Sequence, residues 1–345
     1  MKEREVFLDK LRVAATCAVV LLHTVTGVMD TTDMSLYPAE KKVFLVILDL
    51  VCWSVPVFLL ISGYLFLDPE RKISSGQILT KYCRRVAAAL FLFGVPYACL
   101  EQLAVQRRFR WGMVGEAFRM VLRGESWSHM WYLYLILFLY LATPFLRWAL
   151  ARVPRMAVYM LLAVLVTGSG ILPFVYRLFG LKEAVRLPDE GIYLFYYLCG
   201  WLFAIRKAED RGEADKKTMA GKILPPAALI LTLGMACSRI FGYTLQMAYN
   251  YPFTTVLSLV LFGWGASRRE AGKRADLWGK AAALSFAVYL IHPVFLNMAY
   301  KFFHVTPLSY PLGLSLPLFF GGAMLLSWTG AWLLRKLPPL TRYVL

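Results

Sequence analysis

The sequence predicts an all-α, polytopic membrane protein of about ten transmembrane helices, with the N-terminus and the C-terminus both cytoplasmic. Three observations carry this reading. Hydrophobic residues make up 59% of the 345 and the mean hydropathy is +0.57, more apolar surface than a water-soluble domain of this size can hide. Apolar runs of about 20 residues recur along the whole length, each long enough to cross a bilayer core as a helix. The polar–apolar alternation of a transmembrane barrel is absent.

Taken in order, the runs place helices over 7–29, 42–67, 78–103, 130–150, 156–175, 190–206, 222–241, 252–267, 281–302 and 312–335. The first follows a charged N-terminus but has no small-residue cleavage site, and more spans follow it, so it reads as a retained anchor. Connections are short, and the chain reads as one integral membrane domain over 1–345 with no appended soluble domain. Two connections are longer. Residues 104–128 are expected to include an amphipathic interfacial helix, and the highly charged 206–222 segment reads as a solvated loop. With the N-terminus inside, the cytoplasmic segments hold most of the 38 Lys and Arg residues, which is the bias that sets orientation. The misfit is the outer 104–128 loop with Arg107, Arg108, Arg110, Arg119 and Arg123. It is either an anion-facing surface or a sign that the third span is drawn wrongly.

The formal charge of +17 raises nucleic acid as a partner, but the cations sit mostly in short loops between spans, where they orient a membrane protein. The six cysteines fall within or at the ends of apolar runs and form no CxxC pair. They read as packed thiols, not as disulfides or metal ligands, and no metal is expected.

Ionisable groups inside a span are costly unless paired, so they point to function. Here they are Arg12 and His23 on the first helix, Asp49 on the second, Lys81, Arg84 and Arg85 at the inner end of the third, and His292 on the ninth. Glu101 closes the third helix and His129 opens the fourth. Eleven residues at about 100° each bring His23 back to within roughly 20° of Arg12, about 16 Å further along the axis. Two readings stand. Arg12 snorkels to lipid phosphate and His23 is a packed polar residue, or the two mark the ends of one path. Likewise Lys81, Arg84 and Arg85 are either positive-inside bias or a phosphate-binding cluster. Asp49 either fixes the tautomer of a histidine or lines a wet vestibule. His292, just before Pro293, lines a cavity or steadies the break that the proline makes. His129, with Trp127, Trp131 and Tyr132, belongs either to an interfacial aromatic belt or to a stacking surface for a sugar.

Four stretches carry a resemblance to a known family. They are LDKLRVAATCAVVLLH with its Arg12-x10-His23 spacing, WSVPVFLLISGYLFL with Pro56, Ser62 and Gly63, HMWYLYLILFLYLATPFL from His129, and FAVYLIHPVFL around His292. Together and in this order they resemble the acyltransferase-3 integral membrane acyltransferases, within them the stand-alone O-acetyltransferases of surface polysaccharide. The sequence departs from the family at Lys81, where an arginine is usual, and near Ala88, where a proline is usual. Lysine keeps the charge but loses the bidentate fork.

The resemblance implies a multi-pass protein of the cytoplasmic (inner) cell membrane. It implies acyl-CoA, with acetyl-CoA foremost, as donor substrate at the cytoplasmic face, its phosphates near Arg12, Lys81, Arg84 and Arg85. His23 is then general base or transient acyl carrier, and Asp49, which the residue reading puts at about the same depth, is grouped with it as catalytic. His129, Trp131, Tyr132 and His292 fall to the acceptor, an extracytoplasmic glycan or lipid-linked sugar. His23 must be neutral to act, so activity is expected to fall as pH drops through its pKa. The expected partners are thus acyl-CoA, a glycan and the bilayer, and no nucleic acid. The competing readings are a transporter or flippase for a glycan or small organic acid, and a membrane sensing module without turnover.

Overall fold

The computed structural model describes residues 5–209, 214–240, 248–267 and 275–344, and among them every regular element is a helix. In chain order the helices are α1 (Val6–Thr31), α2 (Pro38–Val51), α3 (Ser54–Phe66), α4 (Ser75–Gln106), α5 (Gly112–Arg123), α6 (Ser128–Leu150) and α7 (Arg155–Phe179). After them come α8 (Gly191–Glu209), α9 (Ala214–Ile240), α10 (Pro252–Ser267), α11 (Ala275–Asn297), α12 (Leu312–Leu334) and the short α13 (Pro338–Tyr343). Among the described residues, seven helical stretches are long and apolar enough to cross a membrane, counting α2 with α3 as one. The described parts of α8, α9 and α10 give shorter apolar helices. The protein is therefore a helical, multi-pass membrane protein.

Local chemistry explains where the helices start and bend. Pro38 starts α2, where its missing N–H costs nothing, four residues earlier than expected. The span expected over 42–67 is broken by a turn at Cys52–Trp53. Pro56, four residues after Cys52, cannot bond the Cys52 carbonyl and crowds it, so the ladder must restart. A capping box opens α4: Gln77 N–H donates to Ser74 Oγ at 3.1 Å and Ser74 N–H to Gln77 Oε1 at 3.2 Å. The solvated loop expected over 206–222 is mostly helical backbone instead, because α8 runs to Glu209 and α9 starts at Ala214. The segment is rich in Lys, Glu and Ala, which favour helix however charged the run is. Its residues 210–213 lie outside those described.

The chain forms two compact units, Met1–Arg71 with Val153–Gly330, and Lys72–Arg152 with Ala331–Leu345. In the first, α1 and α11 run parallel. Lys10 Nζ lies 5.8 Å from the centre of the Trp278 ring near their N-terminal ends, and Tyr300 Oη donates to Thr24 O at 3.0 Å further along. Gly27 makes room for that tyrosine, since a Cβ there would lie 2.9 Å from the Tyr300 ring. Helices α3 and α8 pack around Gly63, Gly200 and the fully buried Tyr196 and Tyr197. Helices α9 and α10 meet through Ala228, Met235 and Leu257.

In the second unit α5 packs on α4 through Met113, Ala117 and Val121, all buried, with Val121 facing Gly94. The adjacent stripe, Val114, Phe118 and Leu122, is exposed, as is Trp111, and Arg119 pairs with Glu116 beside it. This is the amphipathic segment expected within 104–128, and its second apolar stripe suits the boundary between acyl chains and headgroups. A nitroxide on Leu122→Cys, in a background without the native cysteines, is expected to collide more with oxygen than with a water-soluble nickel chelate. The opposite ranking would place α5 in water.

Candidate functional site

The N-terminal end of α1 gathers charge. Asp9 is buried, 3% exposed, and its Oδ1 lies 3.7 Å from Arg12 Nη1. One turn earlier Glu5 accepts a hydrogen bond from Tyr64 Oη at 2.7 Å, which ties the end of α3 to the start of α1. Phe7 packs edge-on against the same tyrosine, ring centres 5.8 Å apart. Arg12 therefore sits on an anchored turn with one side toward a buried carboxylate. Its side chain keeps 34% exposure, and a guanidinium has five donors, so an ion pair with Asp9 does not exhaust it.

Helix α1 is unbroken from Val6 to Thr31. The rise of a regular helix therefore holds, and His23 stands about 16 Å from Arg12 along the axis on nearly the same face. The imidazole of His23 is half-buried, and its ring centre lies 5.1 Å from that of His292 on α11, the planes inclined by 44°. His292 is fully buried. Its Nδ1 faces two carbonyl oxygens of its own helix, Val288 O at 3.1 Å and Tyr289 O at 2.9 Å. The bond between Tyr300 Oη and Thr24 O fixes α1 against α11 one residue beyond His23.

Asp49 is 2% exposed near the end of α2. It lies one turn before Cys52, which is buried as well.

In the second unit the three predicted cations differ in their surroundings. Lys81 and Arg84 are exposed, with Lys81 Nζ 5.5 Å from the Tyr82 ring centre and the Arg84 guanidinium 5.9 Å from that of Tyr343. Arg85 is half-buried and its Nε donates to Val344 O at 2.6 Å, so it holds the C-terminal segment. The first part of this stretch, Ile78–Cys83, is wound as a π-helix, a local widening found often at functional sites.

His129 is buried, 3% exposed, at the start of α6. Its ring lies 5.7 Å from Tyr97 and 6.2 Å from Trp127, centre to centre. Tyr97 and Trp127 stack at 4.3 Å, planes 7° apart, and Trp127 Nε1 donates to Glu101 Oε2 at 3.1 Å. Trp131 and Tyr132 are half-buried and meet edge to face at 6.1 Å. Sequence reasoning put His129 beside Trp127, Trp131 and Tyr132, of which Trp127 does lie against its ring. The structure surrounds its ring with Tyr97 and Trp127, one of which sits a full helix away in sequence. It also missed the pairing of Asp9 with Arg12, for which the only sign was the aspartate in LDKLR.

The acyltransferase-3 family model, described as an acyltransferase domain, matches residues 5–336, essentially the whole chain. The chain belongs to this family and is a membrane acyltransferase. No curated protein and no solved structure matches it.

Proposed function

We propose that this acyltransferase moves an acyl group, acetyl foremost, from cytoplasmic acyl-CoA to a hydroxyl of an extracytoplasmic cell-surface polysaccharide or lipid-linked sugar. The observation that carries the reading is α1, an unbroken helix with a cation anchored at one end and an imidazole more than halfway along it. Their axial separation of about 16 Å suits a phosphate group at Arg12 and an extended pantetheine arm ending at His23. Charge-assisted contacts from the guanidinium hold the phosphates. His23 then takes the proton of the acceptor hydroxyl as it attacks the thioester carbonyl, or carries the acyl group itself. Asp49 is assigned to orient and steady the imidazole. From the sequence resemblance, Lys81, Arg84 and Arg85 keep their assignment to donor phosphates, and His129, Trp131, Tyr132 and His292 theirs to the acceptor. The membrane is the cytoplasmic (inner) cell membrane.

The test is transfer of radiolabelled acetyl from acetyl-CoA to surface glycan by the purified protein in proteoliposomes. Label in the glycan, absent from empty vesicles, is the expected result. Accumulation of glycan or organic acid in sealed vesicles without CoA, and no acylation, would replace this reading with a transporter. Arg12 adds a sharper check. Loss of a hydrogen-bonded charge costs ~1.5–3 kcal/mol, so Arg12→Ala is expected to raise the KM for acyl-CoA by about 10-fold or more. Arg12→Lys, which keeps a cation for Asp9 but loses the fork, is expected to fall between the two. An unchanged KM in both variants would remove Arg12 from the donor site.

A further inference from the structure

We infer that the C-terminal segment Pro338–Val344 completes the donor site, with the ring of Tyr343 as the platform on which the adenine of acyl-CoA stacks. This rests on the function proposed above, which assigns Lys81, Arg84 and Arg85 to the donor phosphates, and it adds the residue that recognises the base. The family match ends at residue 336 and gives this segment no role.

The segment is fixed by contacts that do not use the tyrosine ring. Arg85 Nε donates to Val344 O at 2.6 Å, and Val344 itself is 2% exposed. Val344 N–H donates to Leu340 O at 2.9 Å, and Thr341 Oγ1 donates to Pro338 O at 2.9 Å. Tyr343 stands inside this anchored stretch, yet it is 47% exposed. A side chain whose backbone is already ordered costs little further ordering when a flat ligand lands on it.

The charge beside the ring is of the right kind. The Arg84 guanidinium lies 5.9 Å from the Tyr343 ring centre, within reach of a cation–π attraction, and Arg84 is exposed. Lys81, about one turn earlier on α4, is exposed as well. A flat aromatic surface next to a guanidinium offers a nucleotide both of its needs, a ring for the base and charge-assisted donors for the phosphate. A guanidinium has five donors, so the bond from Arg85 Nε to Val344 O leaves the assignment of Arg85 to the phosphates standing. CoA carries an adenine with phosphates attached to its ribose. A lipid headgroup, the other phosphate at a membrane edge, carries no base for the ring to recognise.

The test uses purified full-length protein in phosphatidylcholine nanodiscs, with equilibrium dialysis of CoA and of 4′-phosphopantetheine, which lacks the adenosine. Loss of an aromatic platform under a base weakens binding by about 5- to 150-fold. Tyr343→Ser is therefore expected to bind CoA at least about 10-fold more weakly and phosphopantetheine within about twofold of wild type. Tyr343→Phe keeps the ring and is expected to bind both like wild type. A merely structural tyrosine would move the two ligands together. Hydroxyl-radical footprinting of wild type needs no variant: CoA is expected to protect Tyr343, and phosphopantetheine is not. Equal loss for both ligands, no loss for either, or no protection by CoA overturns the platform. Protection that appears in phosphatidylglycerol nanodiscs without CoA also overturns it, in favour of a lipid site. If wild type binds CoA with this preference but transfers no acetyl, the proposed transfer falls and the platform stands. If wild type transfers acetyl and Tyr343→Ser keeps its CoA affinity, the platform alone falls. If wild type binds no CoA, both fall.

Discussion

Purified His23→Ala protein is expected to bind acyl-CoA like wild type and to transfer acetyl between about 100- and 10,000-fold more slowly, the range that a positioned base supplies. Contacts other than those of the imidazole also seat this part of α1. Tyr300 Oη holds the Thr24 carbonyl, and Gly27 receives the Tyr300 ring. The charged turn with Asp9, Arg12 and the Glu5–Tyr64 bond lies three turns away. Truncation at His23 should therefore leave a small gap beside His292 and a folded protein with an intact donor end. A packed, structural histidine predicts the reverse pattern, in which thermal stability and CoA binding suffer and transfer per folded molecule does not. Radiolabelled transfer, CoA dialysis and a melting curve on one preparation separate the two. Wild-type transfer by the variant would end the proposed role of His23.

What the sequence could disclose depends on how local the cause is. Apolar runs set the helices one window at a time, so the helical, membrane-spanning class was legible, and Arg12 and His23 could be phased because both belong to one regular helix. The turn at Cys52–Trp53 had a local cause in Pro56, but an apolar run hides it, since hydropathy does not register a missing N–H. The helical extensions into 206–222 were hidden for the opposite reason, because charge suggests water while Lys, Glu and Ala still favour helix. Contacts between distant segments left no local mark. Nothing near His23 in the chain says that the ring beside it is His292, and nothing in LDKLR says that Asp9 is buried. Tyr97, against the His129 ring, comes from the body of α4, and no spacing rule joins the two. The division into two units, with Lys72–Arg152 rejoined by Ala331–Leu345, is likewise a product of packing that composition does not carry.

The same dependence on packing makes Gly63 the position where one methyl group should do most damage. A Cβ on Gly63 would stand 1.8 Å from Tyr197 O and 2.7 Å from Tyr197 C. From the other side, a Cβ on Gly200 would stand 2.3 Å from Leu60 O and 2.5 Å from Tyr64 N. All four atoms are backbone, so no rotamer change relieves the clash, and α3 and α8 must separate. Between helices in lipid the attraction is close packing rather than exclusion of water, and small residues are what permit it. Forcing the pair apart forfeits those contacts around the fully buried Tyr196 and Tyr197. Overpacking of a tight core usually costs ~1–3 kcal/mol, and a clash with unyielding backbone belongs at or above the top of that range. The effect should also reach the donor end, because α3 carries Tyr64, whose hydroxyl holds Glu5 at the start of α1. Gly63→Ala is therefore expected to melt well below wild type and to bind CoA more weakly. Gly322→Ala on α12 is the control, since a Cβ there meets nothing within 4 Å. In a helix interior that exchange is neutral or stabilising by up to about 1 kcal/mol. Equal melting temperatures for Gly63→Ala and wild type would mean that α3 and α8 do not meet backbone to backbone.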